Sequence, residues 1–184
     1  MKLSRFGILF FIFMVLFSIK AEGKEIRFLN ERLELTVEET CNEYEMDKNL
    51  VKGVLFLESR YNINCITHNY DKKGNIVSTD QGIGQINDKY KEFYGKLAGI
   101  EEPDSFNPIH NIKMTVAGLN YWRKTAENEG YEGEELILVT LNSYNAGFNG
   151  YMEYIRKHNT MERAYSNRVL EFKAMIDEYG YIEE

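Results

Sequence analysis

"LFLESRYN", residues 55–62, ends an apolar run with a carboxylate and passes at once into polar, turn-prone residues. Reading backward from it, Val51, Val54, Leu55 and Glu58 fall at i, i+3, i+4 and i+7, the repeat of one helical face. Asp47, just upstream, suits the N-cap of that helix. Glu58 therefore continues an apolar stripe. A carboxyl at the end of a buried stripe loses hydration, which favours its protonated form and raises its pKa.

Outward from this helix the helical period recurs. Thr36 followed by Glu39 has capping-box spacing and predicts a helix over about 36–45. Pro108 suits a first helical turn, and Ile112, Val116 and Leu119 mark a long helix reaching about residue 127. Ile137, Leu141 and Tyr144 predict a helix over 134–145 that turns Tyr144 inward. A short helix over 151–158 follows, and Tyr165, Val169, Phe172 and Ile176 stripe the last one. Between Asn62 and Gln81 the period is lost. "YDKKGNIVSTD" (70–80) carries a Lys-Gly-Asn turn between two short runs, consistent with a small hairpin and the only strand candidate. Asn87 reads either as the N-cap of a helix over 88–97, ended by Gly99, or as a ligand contact.

The first 21 residues hold Lys2 and Arg5, an apolar run from Phe6 to Ile19 and then Ala21, the layout of a secretory signal peptide. The run is 14 residues, against the roughly 20 of a spanning helix. Retention of 1–21 as an N-terminal anchor is the other reading, because Ile19 and Lys20 do not fit a small-x-small cleavage site. Export is expected in either case. Residues 22–35 are charged and aperiodic and read as a linker or peripheral segment, with one domain over 36–184. Loss of Lys2, Arg5 and Lys20 with the leader takes the net charge from −7 to −10. Such an acidic chain lacks the basic face that nucleic acid would call for. Cys41 and Cys65 lie in the exported part, where a disulfide can persist; a bridge and two free thiols both fit the sequence.

The sequence has no Cys-x-x-Cys pair, no His-Glu-x-x-His and no phosphate-cradling loop, and His68, His110 and His158 are far apart, so neither metal nor cofactor is expected. Ser143 lacks a nucleophile-elbow context. What remains is carboxylate chemistry. An acid that breaks a glycosidic bond must still hold its proton near neutral pH, and Glu58 has the context for that. In "GIGQIN", Gly82 and Gly84 permit a tight turn, while Gln85 and Asn87 offer amides suited to sugar hydroxyls and acetamido groups.

Three segments, "ESRYN" (58–62), "DQGIGQIN" (80–87) and "SYNAG" (143–147), together resemble the transglycosylase SLT domain of the lysozyme-like superfamily. A fourth, "ERAYSNRV" (162–169), resembles that family's last motif, with Tyr165 in the tyrosine position. The resemblance runs from about Thr36 to Phe172. It implies a mainly α, lysozyme-like α+β fold in which a small hairpin lobe and a larger helical part flank a glycan groove. It further implies that Glu58 is catalytic, that Ser59, Gln85, Asn87, Tyr144, Asn145 and Tyr165 contact substrate, and that the Tyr144 hydroxyl has its partner near Glu58. Asp80 departs from this pattern. "ESRYN" followed by "STDQGIGQIN" also resembles the Glu and Asp segments of animal c-type lysozymes, where the Asp is a second carboxylate, although a plain turn carboxylate fits Asp80 equally.

The implied substrate is peptidoglycan. Glu58 protonates the oxygen of the β-1,4 bond between N-acetylmuramic acid and N-acetylglucosamine, then takes a proton from the attacking hydroxyl. That attacker is the muramyl C6 hydroxyl in a lytic transglycosylase and water in a muramidase using Glu58 with Asp80. A non-catalytic wall-binding or assembly component is a third reading. The acidic balance leaves hydrogen bonding and stacking to hold the strand, with Tyr61, Tyr70 and Tyr90 as stacking candidates. The expected chain is a monomer whose partner is the glycan strand, serving wall turnover or a secretion, conjugation or phage assembly.

Overall fold

In chain order the elements are β1 (Lys20–Ala21), β2 (Lys24–Arg27), α1 (Glu31–Tyr44), α2 (Lys48–Ser59), β3 (Ile66–Tyr70), β4 (Ile76–Gln81), β5 (Ile86–Asn87) and α3 (Lys91–Leu97). Then come α4 (Pro108–Asn128), α5 (Gly133–Ala146), α6 (Phe148–His158), α7 (Ala164–Tyr179) and β6 (Ile182–Glu183). This computed structural model describes residues 20–21 and 24–183; all but the last two residues of the expected leader lie outside them. Among the described residues no helix is long and apolar enough to cross a membrane. The fold is mainly helical with small antiparallel sheets, the lysozyme-like α+β class expected from the sequence.

The helices form where the stripes predict, but three starts differ: α3 begins at Lys91, not residue 88, α6 at Phe148, not residue 151, and the first helix moves furthest. The first begins at Glu31, not Thr36, and its N-cap is Asn30, whose side chain accepts from the Leu33 amide at 3.1 Å. The cause is a stripe that starts before the threonine: Leu29, Leu33, Val37 and Cys41, four residues apart, are all buried. Thr36 instead donates its hydroxyl to the Arg32 carbonyl within the helix. Residues 24–35, read as linker, thus supply a strand and the first turn of α1. A second three-stranded sheet, β1-β2-β6, also escaped the sequence; it pairs Ile26 with Glu183 and Arg27 with Ile182.

Asp47 caps α2 as expected, accepting from the amides of Asn49 (2.8 Å) and Leu50 (3.1 Å), and Pro108 opens α4 behind the cap Asn107. Val51, Val54 and Leu55 have no exposed surface, nor do Ile112, Val116 and Leu119 of α4. Each such side chain contributes about 1.5–3 kcal/mol by burial. Ile137 does not face inward: α5 buries Val139 and Leu141 and leaves Ile137 exposed. The tight approach of α2 to α7 depends on Gly53, where a Cβ would stand 2.8 Å from the Val169 carbonyl oxygen.

The expected hairpin is β3-β4, closed by a turn in which Asp71 accepts from the amides of Lys73 (2.8 Å) and Asn75 (2.9 Å) and Gly74 takes φ 83°. β5 adds a third strand through Asp80↔Asn87 and Gln81↔Ile86. Asn87 therefore sits in a strand and does not cap α3, which starts after Tyr90. The possible Cys41–Cys65 bridge does not form. Both thiols are free, Cys41 being buried in the core on α1 and Cys65 in the turn between α2 and β3. Burial pushes the Cys41 thiol up to about 12, so it stays protonated.

Candidate active site

A groove of about 810 Å³ runs between the hairpin sheet and the helices, and Glu58 opens onto it from the last turn of α2. The helix stops abruptly there, with Arg60 (φ 54°) and Tyr61 (φ 62°) both in the left-handed region. Two such non-glycine residues in succession are costly and hold only where their surroundings fix them. Glu58 keeps part of its surface toward the groove, while protein atoms surround most of its carboxyl. The Tyr165 hydroxyl, carried by α7, donates to Glu58 Oε1 at 2.6 Å. Burial raises the Glu58 pKa to about 7; the Tyr165 hydrogen bond opposes the rise and the negative charge of Asp80 adds to it. Glu58 thus holds its proton up to neutral pH.

Asp80 stands on the sheet wall of the same groove. Asn87 donates to Asp80 Oδ1 at 2.6 Å and Asn69 donates to Oδ2 at 2.8 Å, and both amides also reach the Ser78 hydroxyl, at 3.0 and 3.2 Å. Strand alternation makes this cluster possible, because Asn69↔Ser78 and Asp80↔Asn87 are cross-strand partners whose side chains share one face. The result is a second carboxyl in the groove, held in place through both oxygens.

The "GIGQIN" loop between β4 and β5 is clamped from three helices. Ser59 of α2 donates to the Ile83 carbonyl at 2.7 Å. From α4, Asn111 accepts from the Gly84 amide at 2.7 Å and donates to the carbonyls of Gln81 and Ser105, both at 2.8 Å. Tyr144 of α5 donates to the Gly84 carbonyl at 2.8 Å. No side chain fits at the two glycines: a Cβ would lie 2.1 Å from Ser105 O at Gly82 and 1.9 Å from Thr115 Oγ1 at Gly84. Gln85 adopts φ 50° and donates its amide to the carbonyls of Gly82 (2.9 Å) and Cys65 (3.2 Å).

Of the residues singled out in the sequence, Glu58, Asp80, Gln85, Asn87, Tyr144 and Asn145 line the groove. Ser59 does not; it is buried and ties α2 to the loop. Tyr165 touches the Glu58 carboxyl directly, while the Tyr144 hydroxyl donates to the Gly84 carbonyl within the electrostatic reach of Glu58. Tyr90 lines the groove, Tyr61 packs edge-on against Phe56 at 5.2 Å, and Tyr70 is exposed outside the groove. Sequence reasoning missed Asn111 and Thr115, and the aromatics Phe93, Tyr94, Tyr121 and Trp122. The available signal for the first two was their i, i+4 spacing beside the Ile112–Val116 stripe, which makes them inward-facing polar residues in need of partners.

A helical body, a small sheet lobe and a groove lined by two partly buried acids define a lysozyme-like domain. The chain belongs to the transglycosylase SLT domain family, whose model matches residues 36–167. It is also 32% identical over 107 residues to a protein of Escherichia coli O157:H7 named peptidoglycan-binding-like protein. That match covers 57% of this chain and 59% of the relative, so the chain spans less than two thirds of the relative's length.

Proposed function

We propose that the protein is an exported peptidoglycan lytic transglycosylase with Glu58 as its general acid and base. The observation that carries the reading is a carboxyl with a pKa of about 7, anchored through one oxygen by Tyr165 and open to a glycan-sized groove. The proton sits on the oxygen that Tyr165 does not hold. Transfer to the bridging oxygen lets the bond to muramyl C1 break and releases the 4-hydroxyl of N-acetylglucosamine. The muramyl C6 hydroxyl then attacks C1 and returns its proton to the Glu58 carboxylate, leaving a 1,6-anhydro end. Asp80 supplies a fixed negative charge that stabilises the oxocarbenium-like transition state. Family membership supports the reaction class, and the relative's printed name supports peptidoglycan as the polymer. Such a substrate places the protein at the cell wall.

One observation favours a second reading, hydrolysis by a muramidase: a second carboxyl, the amide-clasped Asp80, lines the same groove as Glu58. Mass spectrometry of digested peptidoglycan separates the two, with anhydro-muramic ends expected and new reducing ends selecting hydrolysis. Asp80→Asn is expected to lower turnover on the order of 10²-fold. It also removes a charge that raises the Glu58 pKa, so the alkaline limb of the rate profile moves to lower pH. Glycan binding by the wild type with no bond cleavage, unchanged in Glu58→Gln, would instead leave a binding component.

A further inference from the structure

We infer that the free edge of β3 binds the acidic stem peptide of the glycan, pairing main chain to main chain from His68 toward Lys72 and Lys73 at the hairpin tip. The inference rests on the peptidoglycan reading of the groove and extends it from the sugar chain to the peptide that muramyl residues bear. β3 is the outer strand in the order β3-β4-β5. The Gly82 amide donates to the Cys65 carbonyl at 2.8 Å, so Cys65 faces β4. Alternation from there turns the backbone of Thr67 and Asn69 toward β4 and the N–H and C=O groups of Ile66 and His68 away from it.

Those outward groups are uncovered. Ile66, Thr67, His68 and Tyr70 are all exposed, Ile66 at 53% and Tyr70 at 60%. The His68 ring shares a hydrogen bond with Thr79 Oγ1 of β4 at 3.1 Å, which keeps it over the sheet and off the edge. An edge of unpaired backbone groups is a template for an extended chain, and β3 carries neither the proline nor the lysine that would guard it.

Position and charge select the occupant. Thr67 and Asn69 put β3 on the wall of the groove that holds Glu58, so a peptide hanging from a bound muramyl residue starts beside this strand. Tethered to the sugar, it arrives at high effective concentration. His68 and Lys72 are four positions apart, about 13 Å at strand rise, the reach of a short extended peptide. The free carboxylates of such a peptide find no partner deeper in, because among the described residues lining the groove none is Lys or Arg. Lys72 and Lys73 instead stand exposed at the tip, where the neighbouring Asp71 carboxylate is engaged by the Lys73 and Asn75 amides of the turn.

The experiment uses the full chain carrying Glu58→Gln and two probes, soluble peptidoglycan strands with their stem peptides and the same strands stripped of peptide by an amidase. Peptide-bearing strands should bind about tenfold more tightly. His68→Pro removes one outward amide while leaving the ladder to β4, and should erase most of that preference; His68→Val should keep it. Lys72→Ser/Lys73→Ser should cut it about threefold, and rising salt should shrink it in the parent. Hydrogen exchange at the Ile66 and His68 amides, slowed by peptide-bearing strands alone, reads the pairing without any substitution. Equal affinity for the two probes, a preference that survives either His68→Pro or the lysine pair, or exchange at those amides that the peptide does not slow would overturn the proposal. Cleavage by the wild type alongside equal affinities sinks the edge alone, and a peptide preference in a wild type that cuts nothing sinks the enzymatic reading alone.

Discussion

Glu58 links chemistry to stability through one proton. Its ordinary pKa of 4.5 describes the unfolded chain and a value of about 7 the folded one. Below pH 4.5 both states carry the proton and burial of the group is cheapest. Between the two values the unfolded chain releases a proton that the folded one keeps, so stability falls as pH rises and levels off above 7, by about 3 kcal/mol in total. Glu58→Gln should therefore abolish cleavage yet raise the urea midpoint at pH 8, with the gain vanishing near pH 4. Equal gains at both values would remove the raised carboxyl from the account. Tyr165→Phe deletes the hydrogen bond that favours the carboxylate. Its pH–rate profile should extend to higher pH while the maximal rate falls, since the acid loses its orientation as well.

Among elements, the loop between β4 and β5 depends most on a residue outside it. Asn111 alone satisfies Gly84 N, Gln81 O and Ser105 O from a fully buried position. Asn111→Ala removes all three bonds at once, and we expect a loss of about 3 kcal/mol in denaturant unfolding and a matching loss of glycan cleavage. Helix positions were largely legible because burial imposes a period: Asp47, Pro108 and the stripes of α2, α4 and α7 appear where the pattern put them. Thr36 misled because a capping box can be mimicked inside a helix, while the Leu29–Leu33 half of the stripe was hidden among charges. Of the two readings of Asn87 the helix cap fails for a related reason, since its amide works across strands toward Asp80, a pairing that no local rule contains. Phe93 and Tyr121 escaped because each exposed ring lies off the core stripe of its own helix.

Across the whole molecule, the acid is made by two helices far apart in sequence. Gly53 lets α2 and α7 touch at Val169, and the same contact brings Tyr165 to Glu58. Gly53→Ala should gain up to about 1 kcal/mol of helix propensity and lose more to the 2.8 Å clash, for a net loss of about 1 kcal/mol. By prying the helices apart it should also displace the alkaline limb in the same direction as Tyr165→Phe; a profile identical to wild type would uncouple the packing from the acid. The motifs identified Glu58 and Asp80, which now share one groove, yet they left open which tyrosine holds the carboxyl.

The Glu58–Tyr165 bond spans 107 positions of chain. Closing so long a loop costs chain entropy that the rest of the packing has to offset. A chain in which α7 has not yet docked would leave α2 with a bare flank and Glu58 without its hydrogen-bond donor. The unusual acidity of this side chain is thus a property of the finished fold and not of the helix that carries it.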